Sequence, residues 1–406
     1  MNTAEDASID RAETAAPPVA GPDSAEFKVL LEACATRPND GQLRAACCLL
    51  NDEQWNRLLA LADHHCVTAL LYVALAKIGE PAVPKVLSAE LGRRYTLNVH
   101  RSLLQARELL RVLGALGAAG VEAIPYKGLV LSELAYGDMA MRQAGDLDVL
   151  IRARDLVAAQ AVAEKLGYTP SLRLSEEERR RYLKVGYEMT FDYGSQRNLL
   201  ELKWGILPRF YAVDFDMDAL CAAARSKSFS GTDIRQMALE DLVLVLCVHA
   251  AKHCWSRLIW LCDLSRLFRK PLDWAALTER ARALGVLRIL RVGVDLANRL
   301  LQARISVPLE LGRARDPAAG ALADETANQI FTDRAPAPES LAYFRQMLRF
   351  RERAGDRARF VSRLAFTPGP GEWNAIHLSG PLALLYRLVR IGRLGARLVR
   401  GRSAQV

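Results

Sequence analysis

The stretch MRQAGDLDVLIRARD, residues 141–155, sets two carboxylates, Asp146 and Asp148, at the entrance to an apolar run of Val149, Leu150 and Ile151. The run predicts a short strand, and the side-chain period of two along a strand then puts both carboxylates on one face. Two like charges so placed repel, and each resists losing water. Taken alone, that repulsion predicts that asparagine at either position leaves the protein at least as stable while no cation is bound. A positive partner is what makes the pair worth keeping.

Outward from this stretch the chain alternates short strands and helices. EAIPYKG, residues 122–128, reads as a strand ending in Lys127-Gly128, and LVLSELAYG, residues 129–137, as a two-turn helix. A helix from Asp155 to Leu166 is stopped by Gly167. YEMTFDY (187–193) and NLLELKWGI (198–206) flank the turn-like GSQR as a hairpin. On either side the periodicity is helical. WNRLLALADHHCVTALLYVALAKIG (55–79) repeats apolar residues at three and four, and LNVHRSLLQARELLRVLGALGAAG (97–120) is a long amphipathic helix closed by glycines. After LPRFYAVDFD (207–216) helices dominate to the end. The fold class is therefore α+β and mostly helical, a small α/β core of about Val121–Ile206 between helical regions.

The core holds a set of residues suited to a divalent ion and phosphate. Hard cations such as Mg2+ or Mn2+ take carboxylate oxygens and commonly keep a phosphate as a further ligand, so an ion supplies the missing positive partner of Asp146 and Asp148. Lys127-Gly128 stands at a strand-to-helix junction, where free backbone N–H groups favour a phosphate and Gly128 permits close approach. Glu201, in LLELKW, offers a third carboxylate. Arg142 is read either as a phosphate partner or as half of an ion pair with a nearby acid.

The order strand, Lys-Gly, helix, Arg then GDLDVLI, helix, hairpin and LELKW resembles the DNA polymerase β-like nucleotidyltransferase superfamily, and within it the family of uncharacterised bacterial nucleotidyltransferases. HHCVTALLYVAL (64–75), LVLVLCVHAAKHCWSRLIWLCDLSRL (242–267) and GPLALLYRLVRIGRL (380–394) extend the likeness over about Trp55–Leu394. Two departures stand out: Lys127-Gly128 takes the place of the superfamily's Gly-Ser loop, and Lys203 stands where a His usually follows the third carboxylate. The resemblance implies a Mg2+- or Mn2+-dependent transfer of a nucleoside monophosphate from an NTP to a hydroxyl-type acceptor, by a two-metal mechanism. Asp146, Asp148 and Glu201 would be the catalytic, metal-holding acids, with Lys127, Gly128 and Arg142 toward the nucleotide. It further implies a sugar, lipid-linked or peptide acceptor. The competing readings are a catalytically degenerate nucleotide-binding module and an antitoxin-like enzyme that modifies a partner protein. The expected organisation is a disordered leader (1–25), an N-terminal helical region (26–118), the nucleotidyltransferase core (119–215), a C-terminal helical domain (216–366), and a Pro/Gly linker with a basic amphipathic helix (367–406).

Charge and composition narrow the partners. The chain of 406 residues carries a net charge of +9, yet thirteen arginines and no lysine fall between Arg345 and Arg402. The rest is close to neutral, which disfavours nucleic acid as a partner. On a helix from Leu384 to Arg400 the arginines gather on one side and the apolar residues on the other. Such a helix either touches a membrane surface or docks on the protein by its apolar face. No apolar run reaches the ~20 residues of a membrane span, and the eight cysteines show no paired spacing. A cytoplasmic location follows as an expectation, and the basic helix leaves open both docking on the protein and peripheral contact at the inner membrane face. His249 and His253 share a helix face, but HAAKH lacks the glutamate of a metalloprotease motif, and they read as packed core histidines. His64 and His65 read as structural, and Trp255 and Trp260 as core.

Overall fold

The architecture comes from a computed structural model that describes residues 21–367 except 22, 144 and 339, together with 389, 390 and 392. The leader expected at 1–25 lies for the most part outside these residues, as do the linker and basic helix expected at 367–406. The fold is α+β and mostly helical, as the hydrophobic periodicity predicts.

One mixed sheet of five strands forms the centre: β1 (Ile124–Pro125), β2 (Leu147–Leu150), β3 (Thr169–Pro170), β4 (Glu188–Tyr193) and β5 (Gln196–Lys203), in the order β1-β2-β5-β4-β3. β2 and β5 are parallel and every other pair is antiparallel. A parallel pair needs a long crossover. Here it runs through the helix Leu156–Lys165, the edge strand β3, the helix Glu176–Val185 and β4. β3 is two residues long and escapes a periodicity reading.

The two faces of the sheet differ in chemistry because strand side chains alternate. Leu147 and Val149 of β2, Leu200 and Leu202 of β5, and Met189 and Phe191 of β4 share one face. They pack with Leu109, Val112 and Leu116 of the long helix Lys85–Ala118 and with Leu156 and Ala159. The opposite face carries Asp148, Glu201, Lys203 and Glu188. Toward that face lie helices from both ends of the chain. Phe27, Leu58 and Leu71 from the N-terminal helices join Val245, Leu261 and Leu290 from the C-terminal ones in a single hydrophobic core that also takes in Tyr126 and Leu150.

A second, two-stranded sheet, β6 (Arg225–Phe229) and β7 (Thr232–Gln236), lies within the region expected as a C-terminal helical domain. Its strands are largely exposed and lack apolar alternation, so hydrophobic patterning is silent there. Its turn is legible in retrospect: Ser230 and Gly231 both take positive φ, 48° and 78°, the two-residue hairpin geometry that glycine favours. No helix among the described residues is long and apolar enough to cross a membrane.

The loop that delivers Asp146 to the sheet is pinned from the long helix. Buried Asn98 donates from Nδ2 to the carbonyls of Ala140 (2.7 Å) and Arg142 (3.2 Å). The Ser132 hydroxyl donates to the Asp138 carbonyl (2.7 Å) and accepts from the Arg142 N–H (3.2 Å). Asn98→Ala should strand two buried carbonyls and cost about 1–3 kcal/mol. Urea unfolding measures the loss, and hydrogen exchange should quicken over residues 140–146. An unchanged midpoint and unchanged exchange would show that the loop holds itself.

Candidate functional site

The acids predicted from sequence converge. Parallel pairing sets Asp148 of β2 directly opposite Glu201 of β5, and Asp146 lies on the segment entering β2. One carboxylate oxygen from each of Asp146, Asp148 and Glu201 lies within 4.8 Å of the other two. Asp148 is buried, and the other two are partly buried.

Two ammonium groups enter this cluster. Lys203 Nζ lies 2.6 Å from Glu201 Oε2, 2.8 Å from Glu188 Oε2 and 3.1 Å from Asp148 Oδ1. Lys127 Nζ reaches the same Asp148 oxygen at 3.3 Å. Burial alone would raise the pKa of Asp148, but Lys127 and Lys203 outweigh it and hold the carboxyl well below the usual range. Burial, opposed by Lys203 but reinforced by Glu188, Asp146 and Asp148, holds the Glu201 carboxyl well above that range. The Lys203 ammonium is stabilised in turn: burial disfavours its charge, and Glu188 and Glu201 more than restore it.

Lys127 and Gly128 open the helix Gly128–Tyr136, as the junction reading expects, with Gly128 at φ 55°. Left-handed backbone at that position suits glycine. Arg142 takes the ion-pair role of its two readings: its Nε lies 3.1 Å from Asp263 Oδ2, and its Nη1 donates to the Gly128 carbonyl at 3.4 Å. The Tyr136 hydroxyl donates to Asp263 Oδ1 at 2.8 Å. Arg142 thus ties the Lys127-Gly128 turn to the helix Leu258–Leu267.

Sequence reasoning missed Glu188. It lies opposite Lys203 in the β4–β5 register and bonds through its other oxygen to the Tyr187 hydroxyl. His249 and His253 pack with each other and with Trp260, the ring centroids 4.8–5.6 Å apart. Burial, and then the charges of neighbouring lysines including Lys127, Lys203 and Lys252, hold both imidazoles well below their usual range. They border the site as neutral rings. Lys252 sits 5.9 Å from the Tyr187 ring centre, where Lys203 also lies at 6.0 Å. His64 and His65 are structural: the Arg257 guanidinium donates to the His64 carbonyl at 2.6 Å, and the Ile259 N–H to that of His65 at 3.2 Å. Trp255 and Trp260 are core residues, and no disulfide links any of the eight cysteines, all of which are among the described residues.

Three clustered carboxylates are hard oxygen donors, which fits Mg2+ or Mn2+ and not a metal that prefers sulfur or imidazole. Residues 51–302 match the model of a protein family described as uncharacterised nucleotidyltransferase. No curated protein and no solved structure matches the chain.

The lysines overturn one expectation for Asp148. Its charge is compensated, so neutralising it removes attraction and not repulsion. Asp148→Asn should destabilise the EDTA-treated protein by on the order of 3 kcal/mol, the scale for breaking a buried ion pair. The sign of the pH dependence follows from the depressed pKa. The Asp148 contribution is complete above the unfolded value of about 4 and is lost as the pH falls below it. The stability difference between wild type and Asp148→Asn should therefore shrink on acidification. Denaturant unfolding at pH 7 and pH 3 tests this, and equal stability of the two proteins at pH 7 would refute the compensation.

Proposed function

The chain belongs to the uncharacterised nucleotidyltransferase family, and we propose on that premise that it transfers a nucleoside monophosphate from an NTP to a hydroxyl-bearing acceptor. The observation that carries this reading is the convergence of Asp146, Asp148 and Glu201 at the mouth of a parallel strand pair. Asp146 and Asp148 would hold Mg2+ or Mn2+, with Glu201 completing the donor set. When bound, such an ion neutralises charge on the triphosphate and favours attack at phosphorus. In the transfer, a bond forms from the acceptor oxygen to the α-phosphorus, the bond to pyrophosphate breaks, and the acceptor proton passes to Glu201.

The chain's own groups divide the remaining work. Lys127 and the free N–H groups at the start of the helix Gly128–Tyr136 are assigned to the phosphates. Arg142 contributes by holding the Gly128 carbonyl, since direct contact with phosphate requires it to leave the buried Asp263 carboxylate. A sugar, lipid-linked or peptide acceptor fits a hydroxyl nucleophile. A cytoplasmic site of action belongs to the same reading.

Incubation with each of the four α-32P-labelled NTPs and Mg2+ in host lysate should label one species, and Asp146→Asn should abolish the label. Loss of a metal-holding carboxylate removes several kcal/mol of transition-state stabilisation, about a thousandfold in rate at 1.36 kcal/mol per decade. Glu201→Gln should reduce turnover far more than NTP affinity. Tight NTP binding with no labelled product would favour the degenerate nucleotide-binding module instead.

A further inference from the structure

We infer that the Lys203 ammonium takes the place of a second divalent ion, so that Asp146, Asp148 and Glu201 hold one ion with the nucleotide and not two. The inference rests on the nucleotidyl-transfer reading above and departs from the two-ion arrangement that the resemblance implies.

An ammonium has three N–H groups, and three carboxylates stand within hydrogen-bonding distance of Lys203 Nζ: Glu201 at 2.6 Å, Glu188 at 2.8 Å and Asp148 at 3.1 Å. The carboxylates belong to three adjacent strands, β5, β4 and β2, so the sheet itself builds the cage. Lys203 is 6% exposed and is the last residue of β5. This is a seated cation, not a surface lysine folded over an acidic patch.

Its position is the one a bridging ion would need. Two ions in such centres sit ~3.5–4 Å apart and share a carboxylate. Here the nitrogen already joins Asp148 to Glu201, through Oδ1 of one and Oε2 of the other. Lys127 also takes Oδ1 of Asp148. The two lysines therefore converge on one oxygen of that carboxylate, and a second divalent ion there would meet both ammonium groups. A second divalent ion between Asp148 and Glu201 would have to expel the ammonium.

Glu188 opposes that expulsion. Its Oε2 binds Lys203, and its Oε1 accepts from the Tyr187 hydroxyl. Buried Glu188 is 9% exposed, and moving Lys203 away would leave its charge uncompensated, which is strongly unfavourable. The ammonium is thus fixed from behind by β4 while it faces the acids of β2 and β5. In the transfer it lies beside Glu201, where it supplies positive charge to the attacking oxygen. Such charge is effective because it is preorganised in a site of low dielectric.

Counting bound ions tests this without relying on turnover. The full chain is titrated with Mn2+ in the presence of each of the four α,β-methylene NTP analogues in turn, and electron paramagnetic resonance counts the bound ions and reports any coupling between them. Wild type should bind one Mn2+ per chain with its preferred analogue and give an uncoupled spectrum. Lys203→Met should bind two and give the spectrum of an exchange-coupled pair. If Lys203→Met fails to fold, Lys203→Gln, which retains a hydrogen-bond donor, takes its place. Two coupled ions in wild type, or one ion in both wild type and variant, would overturn the inference while leaving nucleotidyl transfer in place. No bound Mn2+ with any of the four analogues would overturn the transfer reading and the inference with it.

Discussion

Four carboxylates on one face of a small sheet must be balanced by positive charge if the face is to sit under a helical cover. Asp146, Asp148, Glu201 and Glu188 supply the negative charge, and Lys127 and Lys203 reach into it. Burying a charge unpaired costs several kcal/mol, whereas a pair with all its hydrogen bonds made recovers most of that. The arrangement meets the second condition at Lys203, whose three partners match its three donors. It also explains why the acids can stand so close: the ammonium groups outweigh burial at Asp148, and at Glu201 Lys203 reduces the repulsion without cancelling it.

The same constraint shapes the connections around the sheet. Lys127 can reach Asp148 because β1 pairs antiparallel with β2 and ends beside it. The helix that follows starts at the next residue, Gly128. Arg142 and Asp263 form a second buried pair, which ties the loop before β2 to a helix of the C-terminal region. Burial raises the pKa of Asp263, and Arg142 opposes that rise, so the pair stands or falls together. Loss of either partner would free the loop that positions Asp146.

Much of this was legible in the sequence, and the reasons for the rest are physical. The strands β2, β4 and β5 declare themselves by alternation, and their polar residues fall on one face once the period of two is applied. The triad follows if β2 and β5 are neighbours, which the resemblance implied and spacing alone does not show. Glu188 was hidden by register. A regular hairpin closed by the pair Tyr193–Gln196 would set Glu188 opposite Glu201, a pairing of like charges. The register shifts between Phe191 and Tyr193, and Glu188 falls opposite Lys203 instead. A bulge of this kind leaves no trace in hydrophobic pattern. The partner of Arg142 was equally hidden, because Asp263 lies far along the chain on a helix whose apolar periodicity reveals its buried face and nothing of what that face meets. The β6–β7 hairpin escaped because its strands are exposed and polar, so only the Ser230-Gly231 turn marked it.

The helical regions are therefore part of the site and not a frame around a separable core. Asn98 comes from the long helix before the sheet, and Asp263 from a helix after it; both grip the segment between Ala140 and Arg142. Arg257 and the backbone of Ile259 bind the carbonyls of His64 and His65, so the N-terminal and C-terminal helices also hold each other. His249 and His253, kept neutral by burial and by the lysines around them, add no charge to a balance that Lys127 and Lys203 already set. The stretch that matches the family, residues 51–302, contains both ends of every one of these links. What that stretch specifies is a sheet face whose acids, lysines and helical cover each depend on the others for their positions.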